Sequence, residues 1–322
     1  MSRRFINELS EQESVDQVFL LTGKQVRANR QGAMYLQLRL SDRSGALNAM
    51  LWNATERIAA SFDEGDYVRV AGTTQIYNNA LQMIATKVER VAATEVEEAD
   101  FTTVDSGQVE RLSARLVEIL RGLQNPHLRS LAEAFLLDDR FMSQFSAAPA
   151  GVKNHHAYRG GLLDHVVSLM ELAKLIGPRY PQLDTELLIV GVFLHDIGKV
   201  VELSYEREFS YTDEGQLIGH IVLGVELLNA RVLDAEKLSG DEFPPELALR
   251  LKHMIVSHHG SLEFGSPTVP MTLEATALHH LDNLDAKMQS YGQLLREEAH
   301  SDSRWTAYQA NVGRKLFKGE GY

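Results

Sequence analysis

The chain has no cysteine, so disulfides and thiolate metal sites are excluded. Nowhere in its 322 residues is there a run approaching the roughly 18–20 apolar residues that a bilayer-spanning helix needs. The first thirteen residues are polar and charged and lack the apolar centre of a signal peptide. These absences predict a soluble cytoplasmic protein with no membrane partner. An excess of positive charge is also missing. The formal net charge is −12, which speaks against a general nucleic-acid coat protein. Internal repeats and low-complexity segments are absent as well. What remains has an ordinary globular composition and enough length for one large domain or two smaller ones.

The charge is unevenly spread. Residues 14–93 hold nine Lys/Arg against seven Asp/Glu, and residues 94–110 hold six acids and no Lys/Arg. The cationic segment also has its own periodicity. Val18 to Leu21 is a short apolar run, and Met34 to Leu40 alternates with period two. Ser41 to Gly45 reads as a turn, and Ala46 to Trp52, Tyr67 to Gly72 and Leu81 to Ala85 extend again. Short strands at regular spacing predict a small β-barrel or sandwich over 14–93, with Asn53 to Phe62 as its single helical stretch.

Residues 94–110 read as an acidic linker. From Arg111 the period becomes helical, with Leu112, Leu116, Ile119, Leu120 and Leu123 in step. Further helical patterns cover Leu128–Leu137, Gly161–Ile176, Glu186–Glu202, Ile221–Leu233, Glu246–Ser257 and Leu273–Leu295. A hairpin is expected over Tyr205–Leu217, turning at Thr212 to Gly215. The expected architecture is therefore α+β in two domains, a β-barrel at 14–93 and an all-α domain at 111–300. A C-terminal tail at 301–322 carries Trp305, Tyr308, Phe317 and Tyr322 among polar residues and suits docking on a neighbour.

Within the helical part, His165, the adjacent pair His195-Asp196, His220, the adjacent pair His258-His259, and Asp282 fall on separate predicted helices or their ends. His195-Asp196 ends a run of almost wholly apolar residues from Leu187 to Leu194. A buried ionised carboxylate without a partner costs several kcal/mol or more, so such a residue is normally paired or metal-bound. One pair is explained equally well by a buried His–Asp hydrogen bond; the whole set is better explained by a metal centre. Imidazole with carboxylate suits divalent manganese, iron, magnesium or zinc.

The order of these residues resembles the HD superfamily of metal-dependent phosphohydrolases. Leu194-His195-Asp196-Ile197-Gly198-Lys199 is similar to its most specific motif, Gly160 to His165 to its first, and Asp282-Asn283-Leu284-Asp285-Ala286 to its last. The resemblance implies a core metal site at His165, His195, Asp196 and Asp282. His220, His258 and His259 match members that hold two metals. Members with a third metal carry a Glu one turn before the first His, where this chain has Gly161. The implied cofactor is thus a pair of divalent ions, manganese foremost. The implied chemistry is in-line attack of water on phosphorus. Lys199 suits a phosphate contact, or else a solvated helix end; Arg159 and His156 suit contacts to phosphate or the leaving oxygen. His279 suits a supporting position behind the ligands.

The N-terminal segment from Gly32 to Gly45, with Leu51-Trp52, resembles OB-folds of the anticodon-binding type. Lys24, Arg27, Tyr35, Arg43, Trp52 and Tyr77 are the candidate strand-binding residues, since OB-folds stack bases on aromatics in a cationic groove. Barrel core is the favoured role of Trp52 taken singly, while Tyr35 and Tyr77 stand evenly between core and contact. An OB-type domain followed by an HD domain further resembles the YhaM-type 3′-to-5′ exoribonucleases. That implies hydrolysis of single-stranded RNA, with DNA as an alternative strand, to nucleoside monophosphates. A homo-oligomer remains open. The competing readings are an HD phosphodiesterase of small nucleotides, cyclic dinucleotides included, with the barrel used for assembly, and a non-catalytic strand-binding protein.

Overall fold

Five strands, β1 (Ser14–Ala28), β2 (Met34–Asp42), β3 (Gly45–Leu51), β4 (Tyr67–Tyr77) and β5 (Ala80–Val91), close into a barrel in the computed structural model of the chain. The structure describes residues 3–29, 32–77, 80–97, 100–101, 106–151, 158–204, 210–298, 303–309 and 312–319. It divides into two compact units, Met1–Thr103 with Ser290–Tyr322, and Val104–Gln289.

In the barrel the strand order is β1-β2-β3-β5-β4, with β4 returning to β1; every pairing is antiparallel except β3 with β5. Period-two alternation builds it. Leu36, Leu38 and Leu40 of β2 and Leu47, Ala49 and Leu51 of β3 point inward and are buried. Register shifts at Leu21/Gly23 and Ala71/Gly72 supply the bends that closure requires. The helix expected at Asn53–Phe62 contracts to one turn, α1 (Glu56–Ala59), where the Ile58 amide donates to Thr55 Oγ1. Ile6 and Leu9 join the barrel core, and the Ile6 amide donates to Asp42 Oδ2 at 2.7 Å.

The second unit is helical: α2 (Ser106–Arg121), α3 (Pro126–Leu136), α4 (Asp139–Ala147), α5 (Gly161–Ile176), α6 (Thr185–Leu194), α7 (Lys199–Glu202), α8 (Asp213–Leu217), α9 (His220–Ser239), α10 (Pro245–Ser257) and α11 (Leu273–Glu297), the last running past Gln289. Helix α6 is apolar all round and every residue from Leu187 to Leu194 is buried, so it forms the centre of the unit. Behind its C-terminal end Phe135, Phe141, Phe145 and Phe193 pack with ring centroids 5.0–5.8 Å apart. Each such ring contributes about 1.5–3 kcal/mol by burial. Helix α4, started by the Asp138 cap on the Phe141 amide, is not among the helices read from periodicity.

Two expectations are corrected. The single helix over Glu186–Glu202 is broken at His195–Gly198, which turn between α6 and α7. The segment Thr212 to Gly215 is a helix start rather than a hairpin turn. Thr212 Oγ1 accepts the Gly215 amide at 2.9 Å, and Asp213 and Glu214 sit in the first turn of α8, where the helix dipole favours them. A small ribbon does form beside it, from β6 (Leu203–Ser204) and β7 (Ser210–Tyr211). Among the described residues no helix is long and apolar enough to cross a membrane.

The described C-terminal residues, grouped with the barrel unit, form a second ribbon. Trp305 bridges Phe317 and Gln309 bridges Arg314. The buried Glu298, just past α11, holds it: its carboxylate accepts the Ala307 amide at 2.7 Å and Gln309 Nε2 at 2.8 Å, and its carbonyl accepts Lys318 Nζ at 2.7 Å.

Candidate metal centre and strand-binding face

Five helix ends or turns of the second unit converge on one polar space inside an apolar body. His165 lies in the second turn of α5, and His195-Asp196 follow α6. His220 opens α9, His258-His259 follow α10, and Asp282 lies on α11.

The turn after α6 is held by a close backbone approach. A Cβ on residue 198 would stand 2.0 Å from the His220 carbonyl oxygen, so only glycine lets the His195-Asp196 turn rest on the start of α9. Glu202 completes the joint. Its Oε1 accepts both the His220 backbone amide, at 2.9 Å, and His220 Nδ1, at 3.0 Å. A buried carboxylate thereby satisfies an otherwise unpaired helix N-terminal amide and aims the first side chain. After α10, Gly260 adopts φ +84°, and a Cβ there would lie 2.1 Å from the His279 ring. This leaves His279 room to donate Nδ1–H to the His258 carbonyl at 2.8 Å, so His279 does stand behind a ligand candidate.

Each of the five histidines is fixed in the same tautomer. Nδ1 of His165 faces Asp285 Oδ2 at 2.8 Å, that of His195 the Val192 carbonyl at 2.7 Å, and that of His220 Glu202. Those of His258 and His259 face the carbonyls of Ile255 at 2.7 Å and Phe264 at 2.8 Å. Carbonyls and carboxylates only accept, so Nδ1 carries a proton in each, and wherever the ring is neutral Nε2 presents its lone pair. The ligand atoms fall into two groups, His165 with His195 and Asp282, and His220 with His258 and His259, each within 4.8 Å of one another. Asp196 stands between. Its Oδ1 is 3.5 Å from His220 Nε2 and 3.6 Å from His258 Nε2; its Oδ2 is 3.4 Å from His195 Nε2 and 3.9 Å from His165 Nε2.

Asp196 is 2% exposed, and its Oδ1 and His220 Nε2 are buried with no hydrogen-bond partner among the described residues. Orphaned acceptors of this kind are costly unless a cation meets them. Charge at the site points the same way. Burial opposes the Asp196 carboxylate, yet Lys199, His195 and His220 hold it well below the usual carboxylate range. Burial opposes that of Asp282 too, and His165 keeps it lowered. Burial also resists the His165 imidazolium, but Asp282 and Asp285 push its pKa up to about 9, so a divalent ion bound there would displace a proton from Nε2. Burial and neighbouring imidazoles lower His258 and His259, which keeps them neutral. Ionised carboxylates, lone pairs sharing one space and unmatched acceptors fit divalent cations.

Lys199 Nζ donates to Asp196 Oδ2 at 2.6 Å. Arg159 is exposed in the turn before α5, and His156 lies outside the described residues. Sequence reasoning gave no role to Glu202 or Asp285. A glutamate at a helix end reads as solvated, and nothing in its spacing shows that it lies under His220. Removing either should cost about 10–100-fold in metal affinity, as for other groups that orient ligands. Manganese titration of Glu202→Ala and Asp285→Ala measures this, with Glu202→Gln expected to recover part of the loss. Affinities within threefold of the parent would count against the orienting role.

Residues 162–287 match the HD domain family and residues 20–91 the OB-fold nucleic acid binding domain family. The chain is 37% identical over 284 residues to the 3′-5′ exoribonuclease YhaM of Bacillus subtilis strain 168, covering 88% of each. It belongs to the YhaM family. The YhaM of Bacillus velezensis is likewise 37% identical, over 277 residues and 86% of each chain. Among solved structures, the second OB-fold domain of replication protein A from Methanococcus maripaludis aligns with 27% of this chain and 93% of its own, at 20% identity and a TM-score of 0.23.

In this YhaM-family barrel the candidate strand-binding residues separate. Trp52 is 47% exposed, which corrects its expected place in the core: it follows β3 at a position facing outward. Its ring meets that of Tyr35 at a centroid distance of 4.9 Å, and Arg27, exposed on β1, pairs with Tyr35 across the ladder. Arg43 lies at the far end of β2, stacked on Phe5 at 4.0 Å, and Tyr77 is exposed at the end of β4 level with the start of β3. Lys24 is engaged within the barrel, donating to the carbonyls of Ala59 and Phe62 and pairing with Asp63.

Proposed function

We propose that the chain is a metal-dependent 3′-to-5′ exoribonuclease that degrades single-stranded RNA to nucleoside monophosphates. The arrangement that carries this reading is the set of five tautomer-fixed imidazoles around Asp196, in a chain with YhaM relatives over most of its length. His165, His195 and Asp282 would hold one divalent ion and His220, His258 and His259 a second, with Asp196 offering one oxygen to each; manganese is the first candidate, ahead of iron, magnesium and zinc. Ions held there supply Lewis-acid stabilisation of phosphoryl charge and make water acidic enough to ionise near neutral pH.

The remaining work falls to side chains. Lys199 keeps an ammonium beside Asp196, where it can donate to a phosphate oxygen as charge builds. Arg159 supplies a cation on the turn before α5, and His156 is retained as a partner for the leaving oxygen. In the barrel, Tyr35 and Trp52 offer adjoining ring faces to successive bases, and Arg27 a cation for the backbone between them. Arg43 and Tyr77 extend such contacts to the other end of the strands, while Lys24 acts by bracing the barrel. The place of action is the cytoplasm; DNA binding and self-assembly are further outcomes to be measured.

A linear RNA carrying a 5′ label should shorten stepwise from its 3′ end with Mn²⁺, releasing monophosphates, and should persist in EDTA. A 3′-terminal phosphate should slow the reaction, and circular RNA should survive. Rapid cleavage of the circle would reject the polarity, and activity indifferent to EDTA would reject the metal. Turnover confined to cyclic dinucleotides would favour the small-nucleotide reading.

A further inference from the structure

In a chain of net charge −12, residues 303–319 hold four Lys/Arg and no Asp/Glu. The same short stretch holds Trp305, Tyr308 and Phe317, exposed by 50%, 62% and 51%. Large aromatics this open, interleaved with cations along the chain, are uncommon unless something covers them. Here they stand on the ordered ribbon tied to Glu298. The Trp305–Phe317 bridge sets their rings 4.9 Å apart, and the Arg304 guanidinium lies over Phe317 at 5.1 Å. Arg314 and Lys315 are exposed on the returning arm, while Lys318 is buried on the Glu298 carbonyl and serves the ribbon itself.

We propose that this C-terminal ribbon is a second single-stranded RNA platform, on which bases stack against Trp305, Tyr308 and Phe317 while Arg304, Arg314 and Lys315 hold the phosphates. The chemistry is that of strand-binding surfaces in general: sequence-tolerant stacking on open rings, with cations tracking the backbone. Charge complementarity selects the occupant. A second copy of this acidic chain could also meet the cations, but it offers no regular alternation of flat apolar faces and single negative charges matching interleaved rings and guanidinium groups. The inference takes its strand from the exoribonuclease reading, and its test does not depend on catalysis.

The chain has two tryptophans, Trp52 and Trp305, so Trp52→Phe leaves Trp305 as the lone reporter. In EDTA, an oligouridylate of about 20 nucleotides, longer than one OB-fold site, should quench its emission saturably. In the parent background Trp305→Ala should raise the Kd for that strand at least about fivefold. Arg314→Glu with Lys315→Glu should flatten the dependence of log K on log salt by about 1.4, the share of two phosphate contacts. Both residues are exposed, and a melting curve matching the parent confirms that this variant folds. Trp305 emission that ignores saturating RNA overturns the proposal. So does emission that instead follows protein concentration, with light scattering showing the charge-reversed variant dissociated, because the occupant is then another copy. RNA degraded by the parent with Mn²⁺ while Trp305 stays silent in EDTA sinks only the platform; Trp305 quenched in EDTA by RNA that the parent never degrades with Mn²⁺ sinks only the exonuclease.

Discussion

Asp196→Asn should lower RNA hydrolysis by roughly three orders of magnitude, the equivalent of several kcal/mol of lost metal-centred stabilisation. The substitution keeps the shape of the side chain and removes its charge. Oδ1 lies toward His220 and His258 and Oδ2 toward His195 and His165, so an amide can serve one group of ligands but puts an NH₂ toward the other. A stability effect comes with it. Lys199 is largely buried and has Asp196 as its carboxylate partner at 2.6 Å. Removing one member of such a pair costs about 3–5 kcal/mol. The two effects separate in the double variant Asp196→Asn with Lys199→Met, which should regain the parent melting temperature while remaining inactive. Single-turnover rates and thermal melts measure both. Hydrolysis within tenfold of the parent would show that Asp196 does not bridge.

The second large effect is expected at a residue that offers no functional group. Gly198→Ala adds one carbon, and that carbon would stand 2.0 Å from the His220 carbonyl oxygen and 2.8 Å from the Gly224 nitrogen. Both obstacles are backbone, so no rotamer change relieves the clash. Either the turn holding His195-Asp196 or the first turn of α9 holding His220 has to move, and the two ligand groups then separate. Overpacking of this kind costs about 1–3 kcal/mol in stability. The loss of activity should be far greater, because a displacement of about 1 Å at a reacting centre can cost a hundredfold. Equilibrium dialysis against manganese should show weakened binding while circular dichroism stays close to the parent. A fully active, fully metallated Gly198→Ala protein would contradict the packing described at this joint.

The ligand candidates could be read from the chain because hydrophobicity isolates them. His195 and Asp196 end a run of buried apolar residues, and that contrast is visible without coordinates. The barrel was equally open to reading, since Leu36, Leu38 and Leu40 alternate cleanly with outward residues. Three features were hidden for physical reasons. An all-apolar helix has no polar face to mark its end, so α6 and α7 read as one helix although the His195–Gly198 turn divides them. Thr-Asp-Glu-Gly suits a turn and a helix start alike, and only the hydrogen bond from the Gly215 amide to Thr212 decides. The exposure of Trp52 continues the alternation in which Leu47, Ala49 and Leu51 face inward, and it was masked by the large apolar ring, whose size by itself favours burial.

The unit containing the barrel is discontinuous: its last piece, Ser290–Tyr322, follows all of Val104–Gln289. On the ribosome the first piece therefore emerges, and the whole helical unit is made, before the ribbon and its anchor Glu298 exist. At about 5–20 residues per second that interval lasts roughly 10–40 s. During it the barrel strands can pair, while the Glu298 contacts to Ala307 and Gln309 are still unmade. A nascent chain stalled near residue 290 would thus carry every histidine of the metal centre but none of the Trp305–Phe317 ribbon, so the order of synthesis places the completion of the first unit after that of the second.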